Sequence, residues 1–92
     1  MSATLIVRHP VSDYTAWRAV YDGPEVASLH AKYGVSNARV GQSPDDANDV
    51  LVTHDFASTS DAQGFAADPE LKTVMQSAGV TGAPQIEIFE LV

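Results

Sequence analysis

The chain has 92 residues, 45% of them hydrophobic and 18% charged, which is typical of a single globular domain over residues 1–92. Its net charge of −7 argues against nucleic acid or an anionic membrane as a partner, and the absence of cysteine excludes disulfides and thiolate chemistry. No apolar run approaches the ~18 residues of a membrane helix, and the first residues lack a signal-peptide pattern, so we expect a cytoplasmic protein.

The first half of the chain predicts a strand followed by a broken helix. Residues 3–9 are mostly β-branched or aliphatic on both faces, which indicates a strand that is buried on both sides. Ser12 or Asp13 supplies the N-cap of a helix whose apolar residues recur at helical spacing. Pro24 should break this helix and open a second segment, which ends at Gly34.

The second half predicts a hairpin, another broken helix and a last strand. Two strands, residues 35–42 and 50–56, flank an acidic turn and should form an antiparallel hairpin. Ser60, with a glutamine three residues later, matches a capping box that opens the next helix, and Pro69 restarts that helix. Residues 85–92 alternate apolar and acidic side chains over much of their length and should form the fourth strand.

This βαββαβ order predicts an α+β fold of the ferredoxin-like class. The expected antiparallel four-stranded sheet has the strand order 4-1-3-2, with two kinked helices on one face. Strands 1 and 3 are taken as parallel neighbours whose C-terminal ends meet at one edge of the sheet. That arrangement would bring His9 and His54 within roughly 5–10 Å of each other, given the ~4.8 Å spacing between strands.

Side-chain alternation along each strand assigns the two faces of the sheet. The helix side is predicted to carry the more apolar set: Leu5, Val7, His9, Val50, Val52, His54 and Phe56. The opposite face carries four large apolar side chains: Ile6, Leu51, Phe89 and Leu91. Because no helix remains to cover that face, we expect a homodimer whose interface contains these four residues.

Short motifs are spread along nearly the whole chain: Val7-Arg8-His9, Asp13-Tyr14, Trp17, Asp45-Asp46-Ala47-Asn48-Asp49-Val50, Asp68-Pro69-Glu70-Leu71, Met75, Gly79-Val80 and Gly82-Ala83-Pro84. In these motifs the sequence resembles the dimeric α+β barrel superfamily. Within it, the closest resemblance is to the small antibiotic-biosynthesis-monooxygenase-like or cyclase-like proteins, a subgroup largely of unknown function. The resemblance implies two subunits packed sheet to sheet, with a ligand cleft between helices and sheet in each. It does not imply haem, because the Asn-Trp-His arrangement of the haem-degrading relatives has no counterpart here.

Two histidines are the candidate catalytic residues. His9 and His54 are both expected to face the helices, and imidazole titrates near neutrality, which suits a general base or a proton shuttle. Each could instead be a structural histidine bonded to a backbone carbonyl or a tyrosine hydroxyl. Four aromatic residues either fill the core or line a ligand cleft, and they are the candidate ligand-binding residues: Tyr14, Trp17, Tyr21 and Phe65.

Other polar residues are expected to be structural. Arg8 and Asp55 are predicted to form a cross-strand ion pair on the outer sheet face, and His30 is predicted to be exposed. A metal site built from His9, His54 and Asp55 is not expected, because adjacent residues of a strand point to opposite faces.

Three functions fit these residues. The first is a homodimeric enzyme that binds a flat apolar or aromatic molecule and performs cofactor-free oxygenation or a related proton transfer of the cyclase or isomerase kind. The second is a non-catalytic carrier or accessory protein that uses the same cleft, and the third is a purely structural dimer with a filled core. No cofactor is expected, because the sequence holds no glycine-rich nucleotide motif and no clustered metal ligands.

Overall fold

A computed structural model describes residues 2–92 of the chain. In chain order the elements are β1 (Ala3–Pro10), α1 (Tyr14–Tyr21), α2 (Pro24–Tyr33), β2 (Ser36–Ser43), β3 (Asp46–Phe56), α3 (Thr59–Ala67), α4 (Pro69–Ser77) and β4 (Gln85–Glu90). Within the described residues, four strands form one sheet in the order β2-β3-β1-β4. The predicted ferredoxin-like α+β fold is thereby confirmed, with each predicted helix present as two consecutive segments.

The direction of β3 corrects one prediction. Every pairing in the sheet is antiparallel, including the pairing of β1 with β3. Each helical crossover joins strands of the same direction, but the hairpin between β2 and β3 reverses the chain, so β3 runs against β1. The expectation that these two strands are parallel was therefore wrong.

The register of β1 and β3 shows how far apart the two candidate histidines lie. His54 is paired with Leu5, and His9 is paired with Val50. Their positions are thus four residues apart along the strands, which is about 14 Å at a rise of ~3.4 Å per residue. The predicted separation of 5–10 Å at a single sheet edge was wrong, although both side chains are buried on the helix side of the sheet.

The helix ends follow local sequence signals, with one correction. Asp13 caps α1 by accepting a hydrogen bond from the backbone N–H of Ala16, and Gly34 ends α2 in the left-handed conformation at φ 67°. At α3 the cap is Ser58, whose Oγ accepts from the N–H of Asp61, and not the predicted Ser60. The helix starts earlier because only two residues separate it from the end of β3.

The hairpin and the last strand also differ from the predicted bounds. Acidic and polar residues at positions 46–49 belong to β3, so the turn is reduced to Pro44 and Asp45. β4 ends at Glu90 and not at residue 92. Pairing of Asp46 with Ser43 of β2 and of Asp49 with Pro10 of β1 overrides the low strand propensity of the acidic segment.

Asp68 joins three helices at the kink between α3 and α4. Its buried carboxylate accepts hydrogen bonds from Lys32 Nζ at 3.0 Å, from the Tyr33 hydroxyl and from the N–H of Glu70 at 2.8 Å. The hydrogen bonds from Tyr33 and Lys32 lower the pKa of Asp68 to about 2, so the group stays ionised at neutral pH. The carboxylate thus caps α4 and fixes its first turn to the end of α2.

The two faces of the sheet differ as predicted. On the helix side, Leu5 and Val50 are fully buried. On the outer face, Phe89 is 52% exposed, Leu91 43% and Leu51 40%.

One ion pair on the outer face differs from the prediction. Arg8 forms its ion pair with Asp49 at 2.7 Å, not with Asp55. The antiparallel register explains the difference, because it places Asp55 opposite Thr4, at the far end of β1.

No helix in residues 2–92 is long and apolar enough to cross a membrane.

Candidate functional site

A cavity of about 60 Å³ lies between the sheet and the four helical segments. Its wall is almost entirely apolar, and no charged side chain of the described residues contributes to it. The residues of the wall that carry nitrogen or oxygen in their side chains are His9 from β1, His54 from β3, His30 from α2, and Trp17 and Tyr21 from α1. The side-chain alternation of two strands and the inner faces of two helices bring these groups into one space.

His54 is the centre of a polar cluster at one end of this cavity. Its Nε2 lies 2.9 Å from the Tyr21 hydroxyl, and its ring centroid lies 4.7 Å from that of His30. Phe65 packs edge-on against the same ring at 5.3 Å. The cluster therefore combines two imidazoles and a phenol inside an aromatic wall.

Three ring nitrogens in the cavity wall are buried and have no hydrogen-bond partner among the described residues: His9 Nδ1, His30 Nε2 and His54 Nδ1. Histidines of a filled core normally satisfy their buried nitrogens through backbone or side-chain groups. The residues that line this cavity therefore carry buried polar atoms that the protein itself leaves without hydrogen bonds.

All three imidazoles are held in the neutral form. Burial, followed by repulsion from His30, lowers the pKa of His54 from 6.5 to about 4. Burial also lowers the pKa of His9 and of His30. Burial raises the pKa of the Tyr21 phenol, which therefore keeps its proton; its hydroxyl donates to His54 Nε2 in one tautomer of the ring and accepts from Nε2–H in the other.

His9 lies at the other end of the cavity, away from this cluster. Its ring meets the edge of Trp17 at a centroid distance of 5.6 Å, and Trp17 in turn stacks on Tyr21 at 5.0 Å. The two predicted catalytic histidines thus share a cavity but do not form a pair. An aromatic wall connects them.

Three of the four predicted ligand-binding aromatics line the cavity: Trp17, Tyr21 and Phe65. Tyr14, one turn before Trp17, lies outside the wall and packs against the Trp17 ring at 5.9 Å. Its position in the first turn of α1 leaves it half-buried beside the β3 segment, where its N–H donates to Asn48 Oδ1.

His30 is the functional candidate that the sequence interpretation missed. It was expected to be exposed, but it is half-buried and its ring contacts that of His54. The signal was present in the helical spacing, because His30 follows the buried Val26 by four residues and so shares its face. Among residues 2–92, no group of three or more histidine or acidic side chains is arranged to hold a metal ion.

The fold is shared with several solved structures. A variant of SnoaB from Streptomyces nogalater, a cofactor-independent oxygenase, superposes with a TM-score of 0.73 at 15% identity, over 98% of this chain and 92% of that one. A Caulobacter crescentus protein, provisionally assigned as an antibiotic biosynthesis monooxygenase, gives 0.76 at 17% identity, over 99% and 90%. The Streptomyces coelicolor monooxygenase from the gene ActVA-Orf6, solved with nanaomycin D, gives 0.73 at 17% identity, over 99% and 88%.

These identities show a common fold, that of antibiotic biosynthesis monooxygenase-like proteins, and leave the chemistry open. A comparison of the sequence with curated proteins finds no match. A family model described as a domain of unknown function, DUF3764, matches residues 3–85. The chain therefore belongs to the DUF3764 family.

Proposed function

We propose that this protein binds a small, uncharged hydroxyaromatic or enolic molecule in the cavity between the helices and the sheet. The observation that carries the proposal is the set of three buried imidazole nitrogens without partners in an otherwise apolar wall. An unsatisfied buried polar group costs about 1–3 kcal/mol, so a purely structural core would gain by replacing these side chains with apolar ones. A ligand hydroxyl beside His54 would remove that cost for the Nδ1 of this ring.

The chemistry of the wall selects the type of ligand. A carboxylate or an ammonium group is disfavoured, because no opposite charge lines the cavity and burying an unpaired ion is costly. A hydroxyl both donates and accepts, so it can satisfy His54 Nδ1 in either neutral tautomer of the ring. The aromatic side chains Trp17 and Phe65 favour a flat ligand body.

The relatives in fold support a small-molecule site. The ActVA-Orf6 monooxygenase was solved with nanaomycin D, and SnoaB is a cofactor-independent oxygenase. We carry over from them only the expectation that a fold of this kind can hold an organic ligand.

The binding test uses 2-naphthol as the probe and Trp17, the one tryptophan of the sequence, as the fluorescent reporter. We expect saturable quenching, and an affinity about tenfold higher than for naphthalene, because one hydrogen bond contributes about 1 kcal/mol or slightly more. The double variant His54→Leu, Tyr21→Phe should bind both probes with equal affinity. Equal affinities in the wild-type protein would contradict the proposed role of His54.

The neutral state of His54 predicts a pH dependence of stability. The unfolded chain takes up a proton on this ring below about pH 6.5, whereas the folded chain does so only near pH 4. The free energy of unfolding should therefore fall as the pH decreases from 7.5 to 5, with about 2 kcal/mol of the loss due to His54. Urea unfolding of the wild type and of His54→Leu at both pH values measures that share. An identical loss in the two proteins would show that His54 is not buried in the neutral form.

A second function, proton transfer, is favoured by the contacts of Tyr21 with His54 and of His54 with His30. With His54 Nε2–H directed at the tyrosine oxygen, Nδ1 carries the free lone pair of the ring and would accept a proton from a phenol, an enol or an acidic C–H bound beside it. The low pKa of His54 makes it a weak base in the free protein. An anion formed beside the ring would stabilise the imidazolium and so raise that pKa during the reaction. A deprotonated phenol or enol is also the species that can react with O₂ without a cofactor.

Exchange of the C1 protons of 2-tetralone in D₂O tests this second function. We expect exchange about a hundredfold or more above the buffer rate, with a pH profile that levels off above pH 5 instead of above 7. His54→Leu should return the rate to that of buffer, whereas His9→Leu should retain it. If only His9→Leu lost exchange, the base would be His9, at the other end of the cavity, and not His54. A wild-type rate equal to that of buffer would leave the chain a non-catalytic binding protein.

We also propose that two copies pack through the outer sheet face. The face carries Ile6, Leu51, Phe89 and Leu91, of which the last three are at least 40% exposed in the single chain. Full burial of such a side chain contributes about 1.5–3 kcal/mol, so a few of them suffice for a stable pair. Sheet-to-sheet packing of this kind would leave the helix-side cavity untouched.

Light scattering of Phe89→Glu tests the homodimer. We expect the wild type to have twice the mass of one chain at micromolar concentration and Phe89→Glu to dissociate or unfold. Ile86→Glu is the matched control, because Ile86 is 41% exposed on the same strand but on the opposite face, and its variant should remain dimeric. A monomeric wild type, or dissociation of both variants alike, would exclude this interface.

A further inference from the structure

Two side chains of α4 form a wall between the histidine-lined cavity and the protein surface. Leu71 and Met75 line the cavity of about 60 Å³, and the same two residues line a surface groove of about 430 Å³ beside β4. The floor of the groove includes Ile86 of β4, which is 41% exposed. The cavity and the groove thus adjoin each other at these two half-buried side chains.

The inner cavity is too small for the ligand that its chemistry selects. An apolar cavity of about 150 Å³ is known to hold a benzene ring, and sites for small molecules usually occupy about 300–1,000 Å³. The inner cavity alone falls short of both values, whereas the cavity and the groove together lie within the second range.

The helix that carries Leu71 and Met75 is anchored at both ends. The first turn of α4 is held by Asp68, which is bonded to Lys32 and Tyr33. Just beyond its last turn, the carbonyl of Gly79 accepts from the N–H of Ser12 at 2.9 Å, so this end of the helix is tied to the segment after β1. Met75 lies between these anchors, and its unbranched side chain has three rotatable bonds.

We propose that Met75 is a gate, and that the ligand site comprises the inner cavity and the groove, joined when the Met75 side chain rotates. This inference rests on the proposed function and extends it to the shape of the ligand. The ligand is an elongated, largely apolar molecule of at least two fused rings. Its hydroxyl end lies at His54, and its distal end leaves the cavity past Met75 and covers Ile86.

Methyl NMR of the wild-type protein tests the composite site directly. With ¹³C-labelled methionine and isoleucine methyl groups, adding 2-naphthol should shift the signals of Met75 and Ile86 at the concentrations that quench Trp17. The Ile6 methyl groups, on the outer sheet face, are the internal control and should not move. Quenching of Trp17 with no shift at Ile86 would overturn the gate while leaving the binding function intact. No quenching and no shifts would reject the binding function itself, and the gate with it.

Association kinetics test the gate independently. Met75→Ala removes the side chain that must rotate, so 2-naphthol should associate about three- to tenfold faster, as expected if the open rotamer is populated at about 10–30% in the wild type. Met75→Leu keeps the volume and serves as the matched control, with a rate no higher than that of the wild type. A wild-type rate in Met75→Ala would overturn the gate. Should Met75→Ala fail to fold, the methyl shifts in the wild type decide the question. The double variant His54→Leu, Tyr21→Phe gives a last check. If 2-naphthol still shifts Ile86 in that variant and binds with unchanged affinity, the groove binds the probe alone, and this would overturn the composite site.

Discussion

The antiparallel pairing of β1 with β3 is the constraint on which the rest of this structure depends. It fixes Leu5 opposite His54 and His9 opposite Val50, and so places one histidine at each end of the helix-covered face. Parallel strands would have placed both imidazoles side by side at the C-terminal ends of the two strands. The antiparallel strands instead leave an apolar stretch between the two histidines, and Trp17 and Tyr21 of α1 line it.

Burial determines the chemistry of those polar ends. An exposed histidine would be partly charged near pH 6.5 and would attract anions. The histidines of this cavity have lowered pKa values because burial removes water from around them and because, for His54, the neighbouring His30 opposes the charged form. The proposed site therefore suits uncharged hydrogen-bonding groups, in a chain whose net charge is −7. Recognition of this proposed kind inside the cavity does not depend on the negative charge of the protein surface.

The sequence predicted element order, helix breaks and strand faces because these depend on local signals: Pro24 and Pro69 at helix starts, and alternation along β1 and β3. It did not predict which residues meet across the sheet. The position of His54 relative to His9 depends on strand direction, and the contact of His30 with His54 depends on how α2 packs against the sheet. The cap at Ser58 was missed because two serines compete within one turn, and the connection from β3 decides between them.

The Asp68 carboxylate has a wider consequence than holding a helix kink. Its partners Lys32 and Tyr33 follow His30 by two and three residues, and the helix that it caps carries Met75. One carboxylate therefore holds both the end of α2, which follows His30, and the start of α4, which carries Met75. Replacing Asp68 is therefore expected to disturb the segment that carries His30 and the segment that carries Met75 together.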